Sequence, residues 1–148
     1  MTFRTAARDE DGSTLILTVF YAFLALSLIL VVAATTSLYR ERTALFSLAD
    51  GAALAGAEAF NVDAVAPGAA GAAPVLLSAD VAAAVAAYLD RAPHSGFDGF
   101  TMTSAASVDG TTARVTLSSY WTPPVWTELL PRGVRVEVTA EARSVFTG

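Results

Sequence analysis

Between Gly12 and Tyr39 the chain carries no charged residue, and from Leu15 to Ala34 it is almost wholly apolar. As a helix, Leu15–Ala34 extends about 30 Å at ~1.5 Å per residue, the thickness of a bilayer's hydrocarbon core. Its leucine, isoleucine, valine and phenylalanine side chains fall on every helical face, so no one-sided stripe marks a soluble amphipathic helix. A transmembrane helix is expected. The competing reading is a cleaved secretory signal, for which Val32, Ala33 and Ala34 offer a small-residue cleavage site. Against it, Asp9, Glu10 and Asp11 directly precede the apolar run, and that run is longer than a signal's apolar region. Arg4 and Arg8 on one side balance Arg40 and Arg42 on the other, a tie under the positive-inside rule. The α-amine tips the expectation toward an amino terminus inside and a single-pass protein of the cell membrane whose remaining chain is extracytoplasmic.

The apolar pattern continues through Leu38, Leu45, Phe46, Leu48, Ala52 and Gly56 without proline or a turn cluster, so one helix is expected from about Ser13 to Phe60. Ala49, Ala53 and Ala57 recur at a spacing that lets a neighbouring helix approach closely, although alanine is abundant throughout. Asp50 and Glu58 fall on roughly one face, either a solvated stripe or, for Asp50, a carboxylate at a helix contact.

These residues carry a resemblance. Asp11-Gly12-Ser13, an apolar span, Leu38-Tyr39-Arg40-Glu41-Arg42 and then Leu48-Ala49-Asp50-Gly51-Ala52-Ala53-Leu54-Ala55-Gly56-Ala57 resemble the amino-terminal module of the TadE/TadG-like proteins of tight adherence (Tad, or Flp) pilus assembly. The resemblance implies a non-enzymatic component of Tad pilus assembly or its secretion machinery. Its implied partners are membrane lipid and other Tad assembly proteins or pilins. Two departures stand out. The family often places an Asp just before the end of the span, where this chain has Ala33, Ala34, Thr35 and Thr36. Processed pilins carry a Glu five residues after the cleavage glycine, and counting from Gly12 that position is Leu17, so the residues before Gly12 are expected to be retained.

Past the helix, residues 61–77 turn to alanine, glycine and proline, a linker or surface loop. Ser78 has the character of an N-cap, Asp80 suits a first helical turn, and Val81, Val85, Tyr88 and Leu89 form a helical stripe ending near Pro93. Strand alternation follows. Phe100, Met102, Ser104, Ala106 and Val108 share one parity, Asp109-Gly110 supplies a hairpin turn, and Ala113, Val115 and Leu117 face inward while Arg114, Thr116 and Ser118 face outward. Val134, Val136, Val138 and Ala140 alternate with Arg135, Glu137, Thr139 and Glu141 in a third strand. The expected fold is α+β on a pilin-like plan: a long helix through and beyond the membrane, a second short helix, and a three-stranded antiparallel sheet that one or both helices must cover. Four segments result: a flank 1–12, the helix 13–60, the connection 61–77 and a small domain 78–148.

The stretch Tyr120-Trp121 through Trp126 holds the densest aromatics after the span, suited to a partner or membrane-interface contact, or to a crossover loop capping its own sheet. Composition excludes several activities. With no cysteine, thiolate metal sites are ruled out, and a formal charge of -5 with scattered arginines argues against a nucleic-acid surface. His94, between Pro93 and Ser95, has no acid-base partner in sequence and reads as a solvated loop residue. No phosphate loop, nucleophile elbow or dinucleotide fingerprint occurs, so no catalytic residue, cofactor, metal or small-molecule substrate is expected. A membrane-anchored ligand-binding or sensory module of the cell envelope is the alternative to pilus assembly.

Overall fold

A computed structural model of the chain describes residues 7–60, 75–123 and 133–144. Helix α1 (Ala7–Ala57) is unbroken over 51 residues, about 76 Å at ~1.5 Å per residue. It starts before the expected Ser13 and stops at Ala57, where the Glu58 N–H closes a last bond to the Leu54 carbonyl at 3.1 Å. From Leu15 to Val32 its large apolar side chains, the half-buried Leu30 apart, are more than half exposed, and the segment is long and apolar enough to cross a membrane.

Helix α2 (Ser78–Leu89) begins one residue differently from the sequence expectation. Leu77 occupies the N-cap in extended geometry and no side chain caps the helix; the Ser78 hydroxyl instead accepts the Ser107 N–H at 3.1 Å. That serine satisfies a donor at the end of a strand rather than one at the start of its own helix. Val81, Val85 and Leu89 are buried, as the helical stripe requires.

Strands β1 (Thr101–Ser107), β2 (Thr112–Trp121) and β3 (Val134–Arg143) form an antiparallel sheet in the order β1-β2-β3. The expected parity of β1 breaks in the middle. Met102 pairs with Leu117 but Ser104 pairs with Thr116, so Thr103 is an extra residue that reverses the phase of everything after it. Phe100 before the bulge and Ala105 after it both pack on the core, whereas Ala106 stands opposite Arg114. The β1–β2 connection also differs from a two-residue turn. Four residues, Val108 to Thr111, lie between the strands, with Gly110 at φ +78° and Asp109 accepting from the Thr111 and Thr112 N–H groups at 2.9 and 2.6 Å.

In β2 the inward set Ala113, Val115 and Leu117 is fully buried, and the strand continues with inward Ser119 and Trp121. On the opposite face Thr116 and Ser118 point as expected but are only 8% and 5% exposed. Neighbours on both sides close over this central strand: Thr139 lies 3.0 Å from the Thr116 hydroxyl, and Thr103 and Arg135 donate to Ser118. β3 alternates cleanly, with Val136, Val138 and Ala140 buried and Val134 exposed at the sheet's end.

Both helices cover one face of the sheet, α1 over β2 and β3 and α2 over β1. The core joins Leu45, Ala49, Ala52, Ala53 and Ala57 of α1 to Val81 and Val85 of α2 and to the inward sheet residues. The outer half of α1 is therefore the central member of the domain.

Candidate interface surfaces on the long helix and the sheet end

Ala49, Ala53 and Ala57 lie inside the chain's own core, at 0%, 0% and 2% exposure. Small residues let α2 and the sheet approach the α1 backbone. A Cβ on Gly56 would meet the Val81 and Val85 methyls at 3.1 Å, and one on Gly51 would collide with the Tyr88 hydroxyl. Asp50 is on the other side, exposed, and belongs to no ion pair among the described residues. With it the exposed face of outer α1 presents Phe46 at 48% and Leu54 at 56%, four residues before and after. Residues four apart share a helical face, so Phe46, Asp50 and Leu54 form a stripe facing away from the core.

The aromatics divide differently from a single loop. Tyr120 and Trp121 end β2, and Trp126 lies outside the described residues. Trp121 is 9% exposed because its parity turns it onto α1, where its indole N–H donates to the Ser37 hydroxyl at 3.2 Å. Ser119, two residues earlier, donates to the Glu41 carboxylate at 3.3 Å. Strand spacing of two and helix spacing of four thus match, and β2 is fastened to α1 over the turn from Ser37 to Glu41. Tyr120 points the other way, 43% exposed, its ring against Gly99, where a Cβ would sit 2.8 Å from it. Gly99 adopts φ +57°, so both conformation and space require glycine there.

Two clefts flank α1 at this level. One, of about 640 Å³, lies between Thr36, Arg40 and Glu41 and the Pro93–Phe97 loop. The other, of about 470 Å³, lies between Thr35, Leu38, Tyr39 and Arg42 and the start of β3. His94 is partly buried rather than simply solvated: it stacks on Phe100 at 4.8 Å and its Nδ1–H donates to the Ala92 carbonyl at 2.9 Å. Among the described residues no three His, Asp or Glu side chains gather to hold a metal. Asp109 is the one described group whose carboxyl is clearly displaced, down to about 2, by the Thr111 N–H first and then by further bonds from Thr111 and Thr112. It serves the hairpin loop.

The arrangement is that of a long apolar helix with a small domain folded onto one end, and sequence comparison places that helix. Residues 12–59 match the family model of putative Flp pilus-assembly TadE/G-like proteins. The TadE/G-like segment begins at the membrane-length span and ends two residues after α1, so it coincides with the helix and stops before α2. No curated relative and no solved structure matches the chain.

Proposed function

We propose that the protein is a non-enzymatic, membrane-anchored component of Flp-type pilus assembly or its secretion machinery, with the α+β domain outside the cytoplasm. The observation that carries this is the coincidence of the TadE/G-like segment with α1. What a family shares along one helix is shared use of that helix. Its inner half is free to contact lipid or neighbouring spans, whereas one face of its outer half is consumed by the core. Contacts with other assembly proteins or pilins then fall on the exposed stripe Phe46, Asp50 and Leu54, and the small residues Ala49, Ala53 and Ala57 act by holding the domain on the helix that displays it.

The test is genetic and biochemical. Removing the gene from a host that makes Flp pili should abolish surface pili, and the intact gene should restore them. Leu54→Ala and Asp50→Ala, both on exposed positions, should reduce pili and co-purification of assembly proteins while protein abundance stays normal. Undiminished pili after deletion of the gene would refute the assembly role itself. Undiminished pili in both variants would refute the stripe.

A further inference from the structure

Arg42 has no acidic partner among the described residues, whose ion pairs are Arg114–Glu141 and Arg135–Glu137. It lines the smaller cleft with Leu38 and Tyr39 of α1 and with Val134 and Arg135 at the start of β3. Because Glu137 neutralises Arg135 at 2.9 Å, the cleft keeps the uncompensated charge of Arg42. The larger cleft sets Glu41 beside Arg40 and is balanced.

Position along the helix places this charge against the bilayer. If the span ends at Ala34, the Arg42 Cα stands about 12 Å above the hydrocarbon at ~1.5 Å per residue. The headgroup layer is roughly 5–8 Å deep. Side chains on a helix tilt toward its amino terminus, which here is the membrane side, and arginine extends its guanidinium toward a phosphate layer while its methylenes lie on apolar surface. Leu38, partly buried, and Val134, 43% exposed, give the cleft an apolar floor on the same side. Tyr39, 71% exposed, adds a phenol at the height where aromatic residues mark the interface. The Thr35 hydroxyl is already donated to the Val31 carbonyl at 2.8 Å and one Arg135 nitrogen is held by Glu137 and Ser118, so Arg42 and Tyr39 are the donors on the α1 side of the cleft.

We propose that this cleft holds one anionic phospholipid, its phosphate on Arg42 and Tyr39 and its glycerol and first methylenes against Leu38 and Val134. The site rests on the membrane-anchored reading above. It would fix the height of the domain over the bilayer independently of any protein partner.

The experiment uses the full chain in nanodiscs of mixed phosphatidylglycerol and phosphatidylcholine, with bound lipid read by native mass spectrometry. The wild type should retain phosphatidylglycerol preferentially. Arg42→Gln should lower that preference about fivefold, the effect of one arginine at an anionic surface. Arg42→Lys should keep most of it. Arg143→Gln removes the same charge at the far, exposed end of β3 and should change nothing. Equal retention of both lipids, an unchanged preference in Arg42→Gln, or an equal loss in Arg143→Gln would overturn the site while leaving anchoring intact. Displacement of the lipid by inorganic phosphate would overturn it too, by showing that the site takes a free anion. A chain that does not enter nanodiscs overturns the membrane reading and the lipid site together.

Discussion

The indole of Trp121 donates to the hydroxyl of Ser37, joining the last residue of β2 to α1 across 84 positions of sequence. This bond holds one end of the sheet beside the membrane-length segment of α1, and the ring that carries it is buried. Ser37→Ala should cost about 1 kcal/mol, the usual value of one hydrogen bond, and Trp121→Ala about 3–5 kcal/mol through the cavity it leaves. Chemical denaturation in detergent, followed by the ellipticity of the sheet, measures both. Equal losses would mean that the ring contributes little beyond its N–H.

Gly51 and Gly12 make a paired test of backbone proximity. Gly51→Ala drives a methyl into the Tyr88 hydroxyl and should destabilise the domain by about 1–3 kcal/mol, relieved in part by Tyr88→Phe. A Cβ on Gly12 meets nothing within 4 Å, so Gly12→Ala should be neutral or stabilise α1 by up to ~1 kcal/mol. Matching signs for the two would contradict the close crossing of α1 and α2.

Ala53→Leu should overpack the core by about 1–3 kcal/mol and lower the melting temperature of the isolated protein without any partner present. Asp50→Ala, at an exposed position, should stay within about 0.5 kcal/mol. An Ala53→Leu protein that melts like the wild type would place that alanine at an intermolecular contact instead.

Asp109 gives the hairpin loop an acid limit. Its carboxyl is depressed from 3.8 to about 2 by the Thr111 and Thr112 donors, so the contribution is complete above the ordinary value and is lost as pH falls through about 2. A carbon-detected NMR titration should find its midpoint near 2, and Asp109→Asn should abolish the pH dependence of the Thr111 and Thr112 amide signals in that window. A midpoint near 3.8 would show that the loop does not hold the charge.

Topology is open to direct measurement. Protease added outside spheroplasts should degrade the domain while leaving the amino-terminal flank intact. Protection until lysis would reverse the orientation.

How far the sequence was readable depends on what each pattern encodes. Charge exclusion from Gly12 to Tyr39 encodes solvent, so a helix of membrane-crossing length was legible, and the alternation of Val134 to Ala140 encodes a two-sided sheet, so β3 was as well. Small residues encode only that something comes close. Ala49, Ala53 and Ala57 suggested a neighbouring helix, and the neighbours are α2 and the sheet of the same chain. The bulge at Thr103 carries no glycine or proline, and its register is set by pairing with β2, which local sequence does not express. Trp121 stood in an aromatic stretch that suited a partner or membrane-interface contact or a crossover loop, yet its parity with Ala113, Val115 and Leu117 was the available sign that it turns toward the helix.

Because α1 runs without interruption from the membrane-length segment into the core, the two are geared one to one. Each residue of a helix turns the chain by about 100°, so inserting a single residue between Ala34 and Ser37 would swing the span's faces through that angle relative to the domain. A machine gripping either end would turn or draw the other with no slack between them.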